Sequence, residues 1–103
     1  MPRSSEGNLA HKKLVELAVE RLQSQGYKTA TSVNLPGRFR CDVLAEKDSE
    51  RVVVECFLRP DAKLIEEKRK MLEGYAKFVV AIPRGYRRYE SKDIEVWVFD
   101  ISA

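Results

Sequence analysis

Between residues 8 and 25 the apolar positions recur at helical spacing. Leu14, Val15, Leu17, Ala18 and Leu22 share one broad face at about 100° per residue, and Glu16 and Glu20 fall on the opposite face. Asn8 is an N-cap type of residue, and Gly26 marks the stop. The pattern then changes. Residues 27–35 are rich in β-branched side chains and predict a strand, and Pro36-Gly37 predicts a turn. Residues 39–46 and 51–58 predict two more strands, joined into a hairpin by the polar turn Lys47-Asp48-Ser49-Glu50. Pro60 and Asp61 open a second helix that runs to about Gly74, with Leu64, Ile65, Met71, Leu72 and Tyr75 as its apolar face. Residues 78–82 are wholly apolar, as a buried strand requires, and Pro83 stops them. Residues 84–92 predict a basic, aromatic loop or a short helical turn, and residues 94–100 the last strand.

The order α-β-β-β-α-β-β predicts an α/β fold. A hairpin followed by a strand-helix-strand crossover makes a single mixed central sheet of about five strands flanked by helices. A chain of 103 residues holds one domain, here residues 1–103, with residues 1–8 as a loose lead-in. So small a domain is only modestly stable alone, which is compatible with a homodimer. No apolar run approaches the roughly 20 residues of a membrane span, and no signal-like core opens the chain, so a cytoplasmic protein is expected. Charged residues make up 34% of the chain, yet the net charge is only +3. That balance permits a nucleic-acid partner without demanding one.

The hairpin carries the sharpest chemical signal. A turn centred between Asp48 and Ser49 sets Glu46 opposite Arg51, Val43 opposite Val54, Asp42 opposite Glu55 and Cys41 opposite Cys56. Asp42 and Glu55 then share one sheet face with Cβ atoms about 4.5–5.5 Å apart. Like charges so placed are destabilising unless a divalent cation, a basic neighbour or a shared proton offsets them. A register slipped by one residue would separate them, and Arg38, Arg40 or Lys68 could pair with them as ordinary ion pairs. The two cysteines, if opposed, are close enough for a cross-strand disulfide, although reduced buried thiols are the default in a cytosolic chain.

The segment Gly37-Arg-Phe-Arg-Cys-Asp42-Val-Leu-Ala-Glu-Lys, followed by Val52-Val-Val-Glu55-Cys-Phe57, resembles the PD-(D/E)XK nuclease superfamily. The element order is similar to that restriction-endonuclease-like core over nearly the whole chain, and to the small archaeal Holliday-junction resolvases. The resemblance implies that Asp42 and Glu55 hold Mg²⁺ or Mn²⁺ for hydrolysis of phosphodiester bonds in DNA or RNA. It also implies a lysine two residues after the glutamate, but that position is Phe57. The family sometimes moves this lysine to the following helix. There Lys68 lies four residues after Leu64, three after Ile65 and four before Leu72, on the face turned to the sheet. The ordinary role for such a lysine is to lay its stem on the core and keep its ammonium wet. Many members also carry an inward glutamate on the first helix. Here Glu16 and Glu20 face outward and Glu6 precedes the helix, while the inward position is His11, the only histidine. His11 is a candidate ligand or general base, or a structural side chain.

Arg38 and Arg40 flank the Asp42 strand, and Arg84, Arg87 and Arg88 interleave with Tyr86 and Tyr89. Arginines grip phosphates and tyrosines stack on unpaired bases, so these five arginines are the candidate nucleic-acid contacts. The rival expectation is a non-catalytic nucleic-acid-binding or protein-interaction module on the same scaffold. Exposed Tyr86, Tyr89 and Trp97 would then form its contact surface.

Overall fold

The computed structural model describes residues 5–85 and 88–101, with side chains from Leu9 onward. The elements are α1 (Ser5–Ser24), β1 (Lys28–Asn34), β2 (Arg40–Lys47), β3 (Glu50–Cys56), α2 (Ala62–Leu72), β4 (Lys77–Pro83) and β5 (Glu95–Phe99). They form a single mixed sheet of order β1-β2-β3-β4-β5, antiparallel from β1 to β3 and parallel from β3 to β5. The helices cover opposite faces. Leu14, Ala18 and Leu22 of α1 pack on Val43, Val54 and Val79, and Ile65 and Leu72 of α2 pack on Val53, Val80 and Ile82. β3 and β4, covered on both sides, are buried almost throughout, which is why their sequences read as apolar runs rather than alternations. Neither helix is long and apolar enough to cross a membrane.

Local chemistry sets the boundaries. Gly26 at φ 91° closes α1, with the Gly26 amide donating to the Gln23 carbonyl and the Tyr27 amide to that of Leu22. This left-handed stop suits a residue without Cβ. Pro36 and Gly37 (φ 67°) occupy the two central positions of the turn that returns β1 to β2. Asp61 caps α2, its carboxylate accepting from the Lys63 and Leu64 amides at 3.0 and 3.1 Å. Asp61→Ala is therefore expected to cost about 1 kcal/mol in urea denaturation, and Asp61→Ser much less.

Three expectations are corrected. α1 begins at Ser5, so residues 5–8 are helical and Asn8 lies inside the helix rather than at its cap. Residues 6–8 carry no apolar side chain, so hydrophobic periodicity gives no sign of that first turn. On α2, Leu64 and Met71 are exposed, and the buried stripe narrows to Ile65 and Leu72. β3 ends at Cys56 rather than at residue 58: its ladder with β2 stops at Val43–Val54, and its pairing with β4 runs on only to Cys56–Ala81.

Candidate active site

The β2–β3 register runs as expected from Lys47–Glu50 to Val43–Val54. At Asp42 and Glu55 it changes character. The Asp42 amide donates to Glu55 Oε2 at 2.8 Å, and the Cys56 amide donates to Asp42 Oδ2 at 2.8 Å. Each carboxylate thus takes the main-chain donor of the opposite strand. The pair closes the end of the ladder rather than lying as a plain cross-strand pair on one face. A second irregularity accompanies it. Cys41 packs in the α2-side core whereas Val43, two residues on, packs in the α1-side core. Strict alternation would have kept them together. Ser32, the β1 residue between the partners of these two, has φ 53°. Cys56 packs on the α1 side, so the thiols of Cys41 and Cys56 sit in different layers and both are free. The opposition that would have allowed a disulfide is lost with the alternation. Burial pushes the Cys41 thiol up to about 11 and raises that of Cys56 as well, which leaves both unreactive.

The two helices each send one side chain to this strand end. Lys68 of α2 places Nζ 2.8 Å from Glu55 Oε1. Its ammonium lies over the rings of Phe39 and Phe57, at 4.7 and 5.7 Å from their centroids. The aromatic residue at the position of the expected lysine therefore forms one wall for a lysine arriving from the helix. Lys68 is drawn inward, with its side chain 20% exposed, rather than reaching for water. His11 of α1 places Nε2 3.5 Å from Asp42 Oδ2. The structure thus brings Asp42, Glu55, Lys68 and His11 together, at the ends of β2 and β3 and between the two helix layers. In open α/β sheets ligands bind beyond the carboxyl ends of the parallel strands, and β3 ends here.

Electrostatics follow from burial and proximity. Glu55 is 3% exposed, the only buried charged residue among those described. Burial first and the Asp42 charge second hold its pKa above the ordinary carboxylate value, only partly countered by Lys68. His11 is raised above 6.5, chiefly by its hydrogen bond to Asp42, against some opposing desolvation. Both groups bind protons more tightly folded than unfolded. Each therefore lends stability that is lost as pH rises from the ordinary value through the folded one, upward from 4.5 for Glu55 and from 6.5 for His11. In chelator, Glu55→Gln is expected to gain stability relative to wild type between pH 4 and 7. Urea midpoints at the two pH values measure this, and a constant difference would refute the inference.

The arginines divide. Arg38 is engaged within the fold: Nε donates to the Met71 carbonyl and Nη1 to the Pro36 carbonyl, both at 2.9 Å, and the guanidinium stacks on Tyr75. It anchors the end of α2 and is half-buried, its donors taken up by main-chain carbonyls. Arg40 and Arg84 are exposed, and Arg88 is exposed with a 3.6 Å contact to Glu90. Arg84 follows the carboxyl end of β4, in the same direction as the end of β3. Arg87 and Tyr86 lie outside the described residues. The expectation of an exposed Trp97 is corrected. It is 5% exposed, under Arg21, with Nε1 bonded to Glu95. Tyr89 is half-buried against the α2-side core. Sequence reasoning missed Phe39 and the Cys56 main chain as parts of the site. An aromatic beside a turn and an amide at a strand end leave no pattern of their own.

Asp42 and Glu55 suit a hard divalent ion, since two adjacent carboxylates repel each other and offer oxygen donors. The described residues contain no group of three or more His, Cys, Asp or Glu side chains arranged to hold an ion. The protein's share would be two carboxylates, with water and phosphate oxygens completing the shell, which is the usual manner of Mg²⁺.

No protein-family model and no curated protein matches the chain. Among solved structures it is similar to the crystal structure of a protein of unknown function, AF1548, with a TM-score of 0.62 and 20% identity over 87% of this chain. The match spans 58% of that chain. At this identity the likeness concerns the fold.

Proposed function

We propose that this chain is a divalent-metal-dependent nuclease that hydrolyses phosphodiester bonds, with DNA the first substrate to test and RNA the second. The observation that carries the reading is Lys68 Nζ, 2.8 Å from Glu55 Oε1 and delivered from α2 to the place where Phe57 supplies no charge. Asp42 and Glu55 would hold Mg²⁺ or Mn²⁺, and the bound ion supplies an activated water and charge stabilisation at phosphorus. Lys68 offers an ammonium, fixed by Glu55 and two aromatic rings, to the negative charge that develops on the phosphoryl oxygens. His11, half-exposed beside Asp42, is positioned to pass a proton to solvent. Arg40, Arg84 and Arg88 remain accessible for backbone phosphates.

Calorimetric titration with Mn²⁺ tests the reading. Wild type is expected to bind and Asp42→Ala to lose binding, after which branched, duplex and single-stranded substrates are screened for metal-dependent cleavage. A wild type that binds Mn²⁺ neither alone nor with a phosphodiester present would sink the proposal. A second reading, a non-catalytic nucleic-acid-binding module, draws on the mutual neutralisation of the four side chains. Nucleic-acid binding unaffected by metal and by Asp42→Ala would favour it.

A further inference from the structure

The β1–β2 ladder skips one pair. Thr31 faces Val43 and Val33 faces Cys41, but Ser32 and Asp42 between them form no ladder pair. The β2–β3 ladder also stops one residue short of Asp42, at Val43–Val54. Asp42 therefore has no ladder partner on either side. Both strands change faces at this point. Val43 packs in the α1-side core, and its partner Thr31 lines a groove with Val15 and Val19 of α1. Cys41 and its partner Val33 pack in the α2-side core. Residues two apart on a strand normally share a face, so the β1–β2 ribbon turns over as a unit at Ser32 and Asp42.

The turnover redirects one carboxylate. Leu44 packs with the α2-side core, so unbroken alternation would put Asp42 on that side too, with Glu55. Asp42 instead accepts the Cys56 amide and lies 3.5 Å from His11 of α1, while Glu55 is met by Lys68 of α2. Each helix thus reaches one carboxylate. The backbone of Ser32 makes this possible. Its φ is 53°, and among the described residues the other non-glycine position in that region is Asp48, in the hairpin turn. Strand residues rarely enter the left-handed region, and a branched Cβ is least at ease there. Ser32 is exposed, so the position is defined by its backbone rather than by packing.

We propose that Ser32 is a positioning residue for the carboxylate site, acting through Asp42. Its left-handed backbone turns the ribbon over and sets the Asp42 carboxylate between Cys56 and His11. The inference deepens the nuclease reading and rests on it for the metal, but not for the strand geometry.

Two variants separate backbone from hydroxyl. Ser32→Gly removes the hydroxyl and accepts the left-handed region freely, whereas Ser32→Thr keeps the hydroxyl and adds the branch that this region disfavours. Amide hydrogen exchange followed by NMR in chelator reads the strand end directly, through the Asp42 and Cys56 amides that bind the two carboxylates. Ser32→Gly is expected to leave both amides as protected as in wild type. Ser32→Thr is expected to speed their exchange about tenfold or more, while the Val53 and Val54 amides stay protected. Calorimetric titration with Mn²⁺ should follow the same order, unchanged in Ser32→Gly and weakened about tenfold in Ser32→Thr. Loss of protection in Ser32→Gly overturns the proposal whether or not Ser32→Thr folds. A folded Ser32→Thr with both amides fully protected overturns it too. A wild type that binds no Mn²⁺ counts against the nuclease reading instead, and the amides then decide alone whether Ser32 sets Asp42.

Discussion

Lys68→Ala is expected to lower stability at pH 7 by about 2–3 kcal/mol and to reduce any metal-dependent cleavage by about 100-fold. The stability loss comes from Glu55, whose side chain is 4% exposed and would keep the Asp42 amide but lose its cationic partner. Removing one member of a buried pair leaves an uncompensated charge. The figure lies below the full range for such cases because Lys68 itself is 20% exposed and water can enter its place. Burial and Asp42 already hold the Glu55 pKa up, and without Lys68 it rises further. The deficit should therefore shrink as pH falls towards 4 and Glu55 takes up its proton. Urea denaturation at pH 7 and pH 4 measures this directly. Equal deficits at the two pH values would mean that lost packing, not lost charge, is responsible. Lys68→Met keeps an unbranched stem between Phe39 and Phe57 and separates the two causes, since it should retain the pH-dependent part of the loss.

Asp42→Asn is expected to act in opposite directions on stability and on metal. The amide oxygen can still accept the Cys56 amide proton, so the strand end stays closed. The negative charge beside Glu55 disappears, which relieves the second largest cause of its raised pKa. Stability in chelator at pH 7 should stay level or rise, by up to about 1 kcal/mol. Mn²⁺ affinity should fall by at least about tenfold, because a carboxylate ligand has become a neutral one. Thermal denaturation with and without Mn²⁺ reads both effects in one experiment. Wild type should be stabilised by the ion and Asp42→Asn should not. A variant less stable than wild type in chelator would show that the charge of Asp42 supports the fold through His11 more than it strains it through Glu55.

These expectations rest on a site whose members were unequally legible in the chain. Asp42 and Glu55 could be brought together from the hairpin turn alone, because the turn sets the register and the observed pairs from Lys47–Glu50 to Val43–Val54 keep it up to their immediate neighbours. Lys68 and His11 could be nominated from helical phase, since both lie on faces turned to the sheet. Neither phase nor register reveals where a long side chain ends. Lys68 could have reached solvent, as lysines usually do. Trp97 shows the converse: its alternation in β5 marks a face, but only the packing of α1 and Arg21 decides that this face is covered. The arginines near Asp42 look equivalent in the sequence. Arg38 is nonetheless bound to main-chain carbonyls while Arg40 is exposed, a difference created by where α2 ends.

The sequence by itself determines the element order, the Asp61 cap that opens α2, the Gly26 stop that ends α1, and the hairpin register as far as Val43–Val54. These are local, set by periodicity, turn chemistry and residues adjacent along the chain. Tertiary structure alone decides two further things. The side-chain alternation breaks between Cys41 and Val43, separating thiols that regular strands would have opposed. The two carboxylates exchange main-chain donors across the strand end instead of lying as a simple pair. Each depends on contacts between segments distant in the chain. There the energies of burial, desolvation and unsatisfied amides choose among arrangements that local preferences leave equally open.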